Sequence, residues 1–159
     1  MMRYVVGILV MFLMSGCISK LAENVDEKTL DYGMTNSKKI EIKNSETSKT
    51  FVTITYINPI NHALVTQESE KFIVGTYKAS GDGSFEKVMF SGFQVNGSDE
   101  NLTVTPLSQD YPLLKLVSAA NAWTNYVLVQ APKTDQIKME ISFENDQSQR
   151  VAVKFQKDF

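Results

Sequence analysis

Little in this 159-residue chain can supply a covalent or metal framework. There is one cysteine, Cys17, so no intramolecular disulfide can form. There is one histidine, His62, whereas a zinc site wants several His or Cys at set spacings. A charge excess is also missing. Sixteen Lys and Arg stand against 18 Asp and Glu, a formal net charge of −2, with no basic patch. That balance argues against nucleic acid as a partner. Long apolar runs are missing too. The most apolar stretch, residues 4–14 ("YVVGILVMFLM"), would rise roughly 16 Å as a helix, well short of the roughly 30 Å hydrocarbon core of a bilayer.

What is present at the start is a short positive opening, Met1-Met2-Arg3, followed by that uncharged run. The pair has the proportions of a signal peptide. Small residues Ser15 and Gly16 follow, then Cys17. The stretch "LMSGC", residues 13–17, resembles the lipobox of bacterial lipoproteins, with Met14 where leucine is usual. A thiolate is the best side-chain nucleophile for taking up a lipid. The resemblance implies that the Cys17 thiol is joined to a diacylglycerol, that the signal is cut before it, and that the new amine is acylated. Each buried methylene adds about 0.8 kcal/mol, so several chains on one residue anchor durably where one does not. A secretory signal ending in a chance cysteine is the plainer alternative. Ile18 follows the cysteine, and the aspartate that retains lipoproteins in the inner membrane of enteric bacteria is absent. The resemblance therefore implies the outer membrane.

The domain plan that follows is a signal peptide over 1–16, a lipidated Cys17 with a tether over 17–38, and one folded domain over 39–159. The tether, mostly polar and weakly patterned, would span roughly 25 Å root-mean-square, with a short helix over 20–30 as the competing reading. Cleavage also removes Arg3, so Lys and Arg fall from 16 to 15 against 18 acids, leaving the mature chain mildly acidic.

From Ile40 the pattern turns to short strands. "KIEIK" alternates, and "FVTITYI" (51–57) puts Val52, Ile54 and Tyr56 on one face. "KFIVGTY" (71–77), "KVMFSGFQV" (87–95), "LTVTPL" (102–107) and "NYVLVQ" (125–130) follow, punctuated by "NPIN", "SGDGS", Asn96-Gly97 and Ala131-Pro132. The last two runs form a hairpin around "ENDQSQ". Ile137, Met139, Ile141 and Phe143 share one face of the first, and Val151, Val153 and Phe155 one face of the second. Seven or eight such strands without a long amphipathic helix predict an all-β fold, a single β-sandwich of immunoglobulin-like architecture. A transthyretin-like sandwich or a small barrel is the alternative. "YPLLKLVSAANAW" (111–123) reads as a crossover with one helical turn.

Motifs that carry chemistry are sparse. His62, in the turn "NPINHAL", reads as a loop residue. "SGDGS" lacks the third glycine of a dinucleotide fingerprint and the Gly-Lys-Ser of a phosphate loop. Asp99-Glu100 and Glu144-Asn145-Asp146 lack the calcium-loop series and read as solvated turns. No G-x-S-x-G surrounds a serine, so no catalytic residue, metal or cofactor is assigned. Trp123 and Tyr126, with Tyr111 nearby, could form an exposed platform for sugar or peptide; the plainer expectation puts Trp123 in the core. "DENLT", Asp99 to Thr103, is similar to the extended bacterial N-glycosylation sequon and marks Asn101 as a conditional acceptor.

These features together lead to a lipid-anchored module of the cell envelope, not an enzyme, that binds a protein partner or a glycan. A periplasmic inhibitor or stabilising lipoprotein is the first rival, and a carboxylate-dependent hydrolase the second.

Overall fold

The structure is a computed structural model that describes residues 36–60, 62–117, 120–145 and 147–157. The expected signal peptide, Cys17 and most of the expected tether lie outside these residues. The described chain is a two-layer antiparallel β-sandwich. Nine strands make it: β1 (Ser37–Lys43), β2 (Ser48–Tyr56), β3 (Ser69–Ser80), β4 (Phe85–Lys87), β5 (Ser91–Val95), β6 (Thr103–Leu107), β7 (Asn125–Pro132), β8 (Lys138–Glu144) and β9 (Arg150–Gln156). The larger sheet runs β1-β2-β3-β7-β6, with β4 also paired to β3. The smaller runs β5-β8-β9. The first strand begins at Ser37, two residues inside the expected tether.

Alternation drives the layering. In β2, Val52, Ile54 and Tyr56 point between the sheets, as their spacing predicts, and Phe51 and Thr53 point outward. In β3, Phe72 and Val74 enter the same core while Ile73 faces out. Met139, Ile141, Phe143, Val153 and Phe155 meet them from the small sheet. Ile137 does not join them. It precedes β8 and is 51% exposed, because the strand starts one residue later. Rings fill the centre: Phe155 lies 5.6 Å from Phe72, and Phe90 stacks on Phe143 at 5.0 Å.

One expected strand is two. Residues 87–95 split into β4 and β5 because the chain crosses between the sheets at Val88–Phe90. The carbonyl of Val88 holds the crossing by accepting from the Thr76 hydroxyl and, at 3.4 Å, from Asn125 Nδ2. Asn96 and Gly97 both have positive φ, 52° and 77°, which is the two-residue turn that an Asn-Gly pair favours.

The outer face of the large sheet is covered at one end only. A 3-10 helix, Pro112–Leu116, supplies Leu113, Leu114 and Leu116, and the loop after β2 supplies Ile57, Ile60 and Val65. They pack on Ile73 and Leu128 as a second core. The small sheet's outer face is polar. Across it Arg150 reaches Glu144 at 2.7 Å, Gln94 at 2.9 Å, Ser142 at 3.0 Å and the Gly92 carbonyl at 3.2 Å, joining all three strands.

The register of the terminal hairpin sets two neighbouring side chains apart. Phe155 is 5% exposed, whereas the Lys154 side chain is 79% exposed. Phe155→Ala should cost about 3–5 kcal/mol and Lys154→Ala under about 0.5 kcal/mol, read from urea midpoints. Equal midpoints would mean that the hairpin is out of register.

Candidate functional site

The uncovered end of the large sheet's outer face carries a strip of aromatic rings. Strand register builds it. Glu41 lies opposite Phe51, Phe51 opposite Tyr77, and Tyr77 opposite Lys87, so one transverse row crosses four strands. The next row runs Lys43, Lys49, Ala79 and Phe85. Phe51 and Tyr77 stack at 5.1 Å, Tyr77 meets Phe85 edge-on at 5.9 Å, and Phe85 stacks on Trp123 at 5.5 Å. The first two rings are half-buried. Phe85 is 55% and Trp123 47% exposed. Large aromatics left in water on a folded surface are a mark of contact with something else.

Trp123 is therefore not in the core, contrary to the plainer expectation. It sits in the loop before β7, on a turn where Asn121 Oδ1 accepts from the Thr124 N–H at 3.0 Å and the Thr124 hydroxyl at 2.6 Å. With Asn121 and Thr124 so fixed, the indole projects onto Phe85. Tyr126 is not part of an exposed platform. It is 3% exposed, and its ring covers Gly75, the residue opposite it on β3. A Cβ at Gly75 would come within 2.6 Å of that ring, so glycine is what admits it. The Tyr126 hydroxyl accepts from the Asn121 N–H at 3.1 Å. Tyr111 is 41% exposed and has no ring contact with the strip.

Tyr126 does line a pocket beside the strip, of about 150 Å³. Lys39, Phe51, Thr53, Tyr77 and Asn121 line it too. Among the described residues Lys39, Lys43 and Lys87 have no ion pair, whereas Glu41 is held by Lys49 at 2.6 Å. The strip is thus apolar with an uncompensated basic fringe. Phe51, Tyr77 and Phe85 escaped the sequence reading. The clue was parity: once Val52, Ile54 and Tyr56 face the core, Phe51 must face away.

The other sequence candidates are dispersed. Asn101 is exposed, at φ +54°, in a turn closed by the Leu102 N–H to the Asp99 carbonyl at 3.2 Å. His62 Nδ1 accepts from the Leu64 N–H at 3.1 Å within its loop. Glu144 is occupied by Arg150, and Asn145 Oδ1 accepts from the N–H groups of Gln147 and Gln149. No cluster of three or more metal-ligating His, Cys, Asp or Glu occurs among the described residues.

One acid is deeply buried. Glu70, 2% exposed, accepts from Lys157 Nζ at 2.5 Å, the Thr134 N–H at 3.0 Å and the Tyr56 hydroxyl at 2.7 Å. Lys157 also donates to the Thr134 carbonyl. Burial works to raise the Glu70 carboxyl, but the hydrogen bonds and the Lys157 charge outweigh it and hold it below the ordinary range. Burial, then the bond to Glu70 and its charge, pushes Tyr56 up. Both carboxylate oxygens are thus committed to closing one end of the sandwich. Compared with known families, curated proteins and solved structures, the chain matches none.

Because the folded carboxyl is depressed, its contribution is complete above the unfolded value of about 4.3 and is lost as pH falls through the folded value. Glu70→Gln leaves Lys157 buried without its counter-charge, a loss of about 3–5 kcal/mol near neutral pH. Denaturant midpoints should differ most between the wild-type and variant proteins at pH 7 and converge as pH falls below the ordinary carboxylate range and the wild-type carboxyl takes up its proton.

Proposed function

We propose that this chain is a lipid-anchored binding module of the cell envelope, held in the outer membrane through Cys17. It acts by engaging a protein partner with the strip Phe51–Tyr77–Phe85–Trp123. The half-exposed pair Phe85 and Trp123 carries the reading, since aromatic anchors supply much of the energy at protein interfaces. A protein is preferred to a glycan because the rings are stacked on one another. Sugar platforms need open ring faces, and here much of each face is spent on its neighbour. The strip crosses a sheet face, which suits a component of an envelope or secretion assembly better than a loop-borne inhibitor.

Two experiments separate the anchor from the binding face. Cys17→Ser should leave a larger precursor without fatty-acid label in cells; equal labelling of both proteins would overturn the anchor. A photo-cross-linking amino acid at Phe85 should give a discrete protein adduct that the same group at Lys138, exposed on the middle strand of the opposite sheet, does not. Trp123→Ala should weaken that adduct about 30-fold or more, the equivalent of about 2 kcal/mol for a central aromatic. No adduct at Phe85, or the same adduct at both positions, would overturn the strip.

A further inference from the structure

The strands that end the two sheets are protected unequally, and β4, paired only with β3, is just three residues long. β1 carries Lys38, Lys39, Glu41 and Lys43 within its seven residues. β6 is five residues long and contains Pro106, which lacks an N–H. β5 is also five residues, and its register shifts between Ser91 and Gln94. Charge, proline, shortness and bulges are the devices that keep edges from pairing. β9 has few of them. It runs seven residues in unbroken register with β8, and its two charges are engaged, Arg150 with Glu144 at 2.7 Å and Lys154 with Glu140 at 3.7 Å.

The ladder shows which of its backbone groups have no partner among the described residues. The Lys157 N–H donates to the Ile137 carbonyl at 2.8 Å, and the Asn145 N–H to the Gln149 carbonyl at 3.0 Å. Bonded and non-bonded pairs alternate in an antiparallel ladder. Val151, Val153 and Phe155 therefore bond to β8. Arg150, Ala152, Lys154 and Gln156 turn their N–H and C=O groups away from it, with exposed side chains.

That edge is complementary to itself. Antiparallel pairing through the free groups requires even-numbered residues to face even-numbered residues. Centred on Ala152, it would set Arg150 against Lys154 of the second copy. Centred on Lys154, it would set that charge against itself. Centred on Val153, it sets Ala152 against Lys154 and Arg150 against Gln156, so no like charges stand directly opposite. Val151 then faces Phe155, and Val153 its own copy, on the core side of the sheet.

We propose that β9 is a docking edge for a second copy of this chain, the two strands pairing antiparallel about Val153. The contact is two-fold and closed, so it ends at a dimer rather than a fibre. It joins two small sheets into one of six strands and leaves both aromatic strips, which lie on the large sheets, free.

Ala152→Pro tests this, because the lost N–H is one that β8 does not use, and proline is tolerated at such an edge position. In density-matched detergent micelles, sedimentation of the full chain should show a concentration-dependent dimer that Ala152→Pro abolishes. A monomer at every concentration, or a dimer that survives the substitution, would overturn the proposal. Amide exchange of the wild-type chain gives a reading that needs no variant. The Ala152 and Lys154 amides should slow tenfold or more between dilute and concentrated samples, whereas unchanged rates would count against the dimer.

Discussion

The two-sided burial of β3 is the constraint on which the rest of the molecule depends. As the middle strand of the large sheet, it sends Phe72 and Val74 into the space between the layers and Ile73 to the opposite side. A sandwich with one wet face per sheet would leave Ile73 and its neighbour Leu128 in water. The chain instead folds Ile57, Ile60 and Val65 of the loop after β2 and the Pro112–Leu116 helix back over that side. Each buried aliphatic side chain is worth about 1.5–3 kcal/mol. This second core therefore carries a real share of a total that for whole domains is only about 5–15 kcal/mol. The covering segments are short, so they shield one end of the face and stop. The aromatic strip lies where the cover runs out.

Without disulfides, closure falls to polar groups placed at the margins. Arg150 spans the outer face of the small sheet, and Glu70 plugs one end of the sandwich with Lys157, Thr134 and Tyr56. They differ in kind. The Arg150–Glu144 pair is part-exposed, in the class worth about 0–1 kcal/mol, and its value is mainly in aligning three strands. Glu70 itself is almost fully buried, and Lys157 nearly so. Their charges have been taken out of water, so the cluster is costly to break and adds little over an apolar plug. What it contributes is the placement of the chain beyond β9.

The fold was legible in the sequence where one face of a strand is buried and the other is wet. β2, β8 and β9 show clean alternation, and their inward residues were named correctly apart from Ile137. β3 was legible as a strand but not in its facing, because burial on both sides removes the alternation. The break at Val88–Phe90 was hidden for a different reason. An apolar run that crosses between sheets has the composition of a strand, and only the partners of its two halves reveal the crossing. The site was less legible still. Trp123 was named, but large apolar side chains are usually buried, and its exposure follows from the Asn121–Thr124 turn. Tyr126 was named for the same surface and proved to be the lid over Gly75. Nothing in either residue's sequence neighbourhood distinguishes them. The distinction is one of register against β3.

The two sheets divide the surface between them. The strip occupies the outer side of the large sheet, while the unguarded edge belongs to the small one. The chain between Cys17 and Ser37, if extended as a flexible tether, reaches roughly 25 Å, long enough for the domain to turn either surface away from a membrane. The proposed anchoring would also change what weak contacts can do. Molecules confined to one membrane meet at effective concentrations far above those of the same number in bulk, so an edge contact too weak to hold in dilute solution can be populated there. Pairing through β9 would then double the number of aromatic strips held on one assembly. A partner with two matching sites would gain by avidity without any new contact on either strip. In that arrangement the scarcity of guards on β9 would serve the pairing, and the guards on β1, β5 and β6 would keep the association from going beyond two copies.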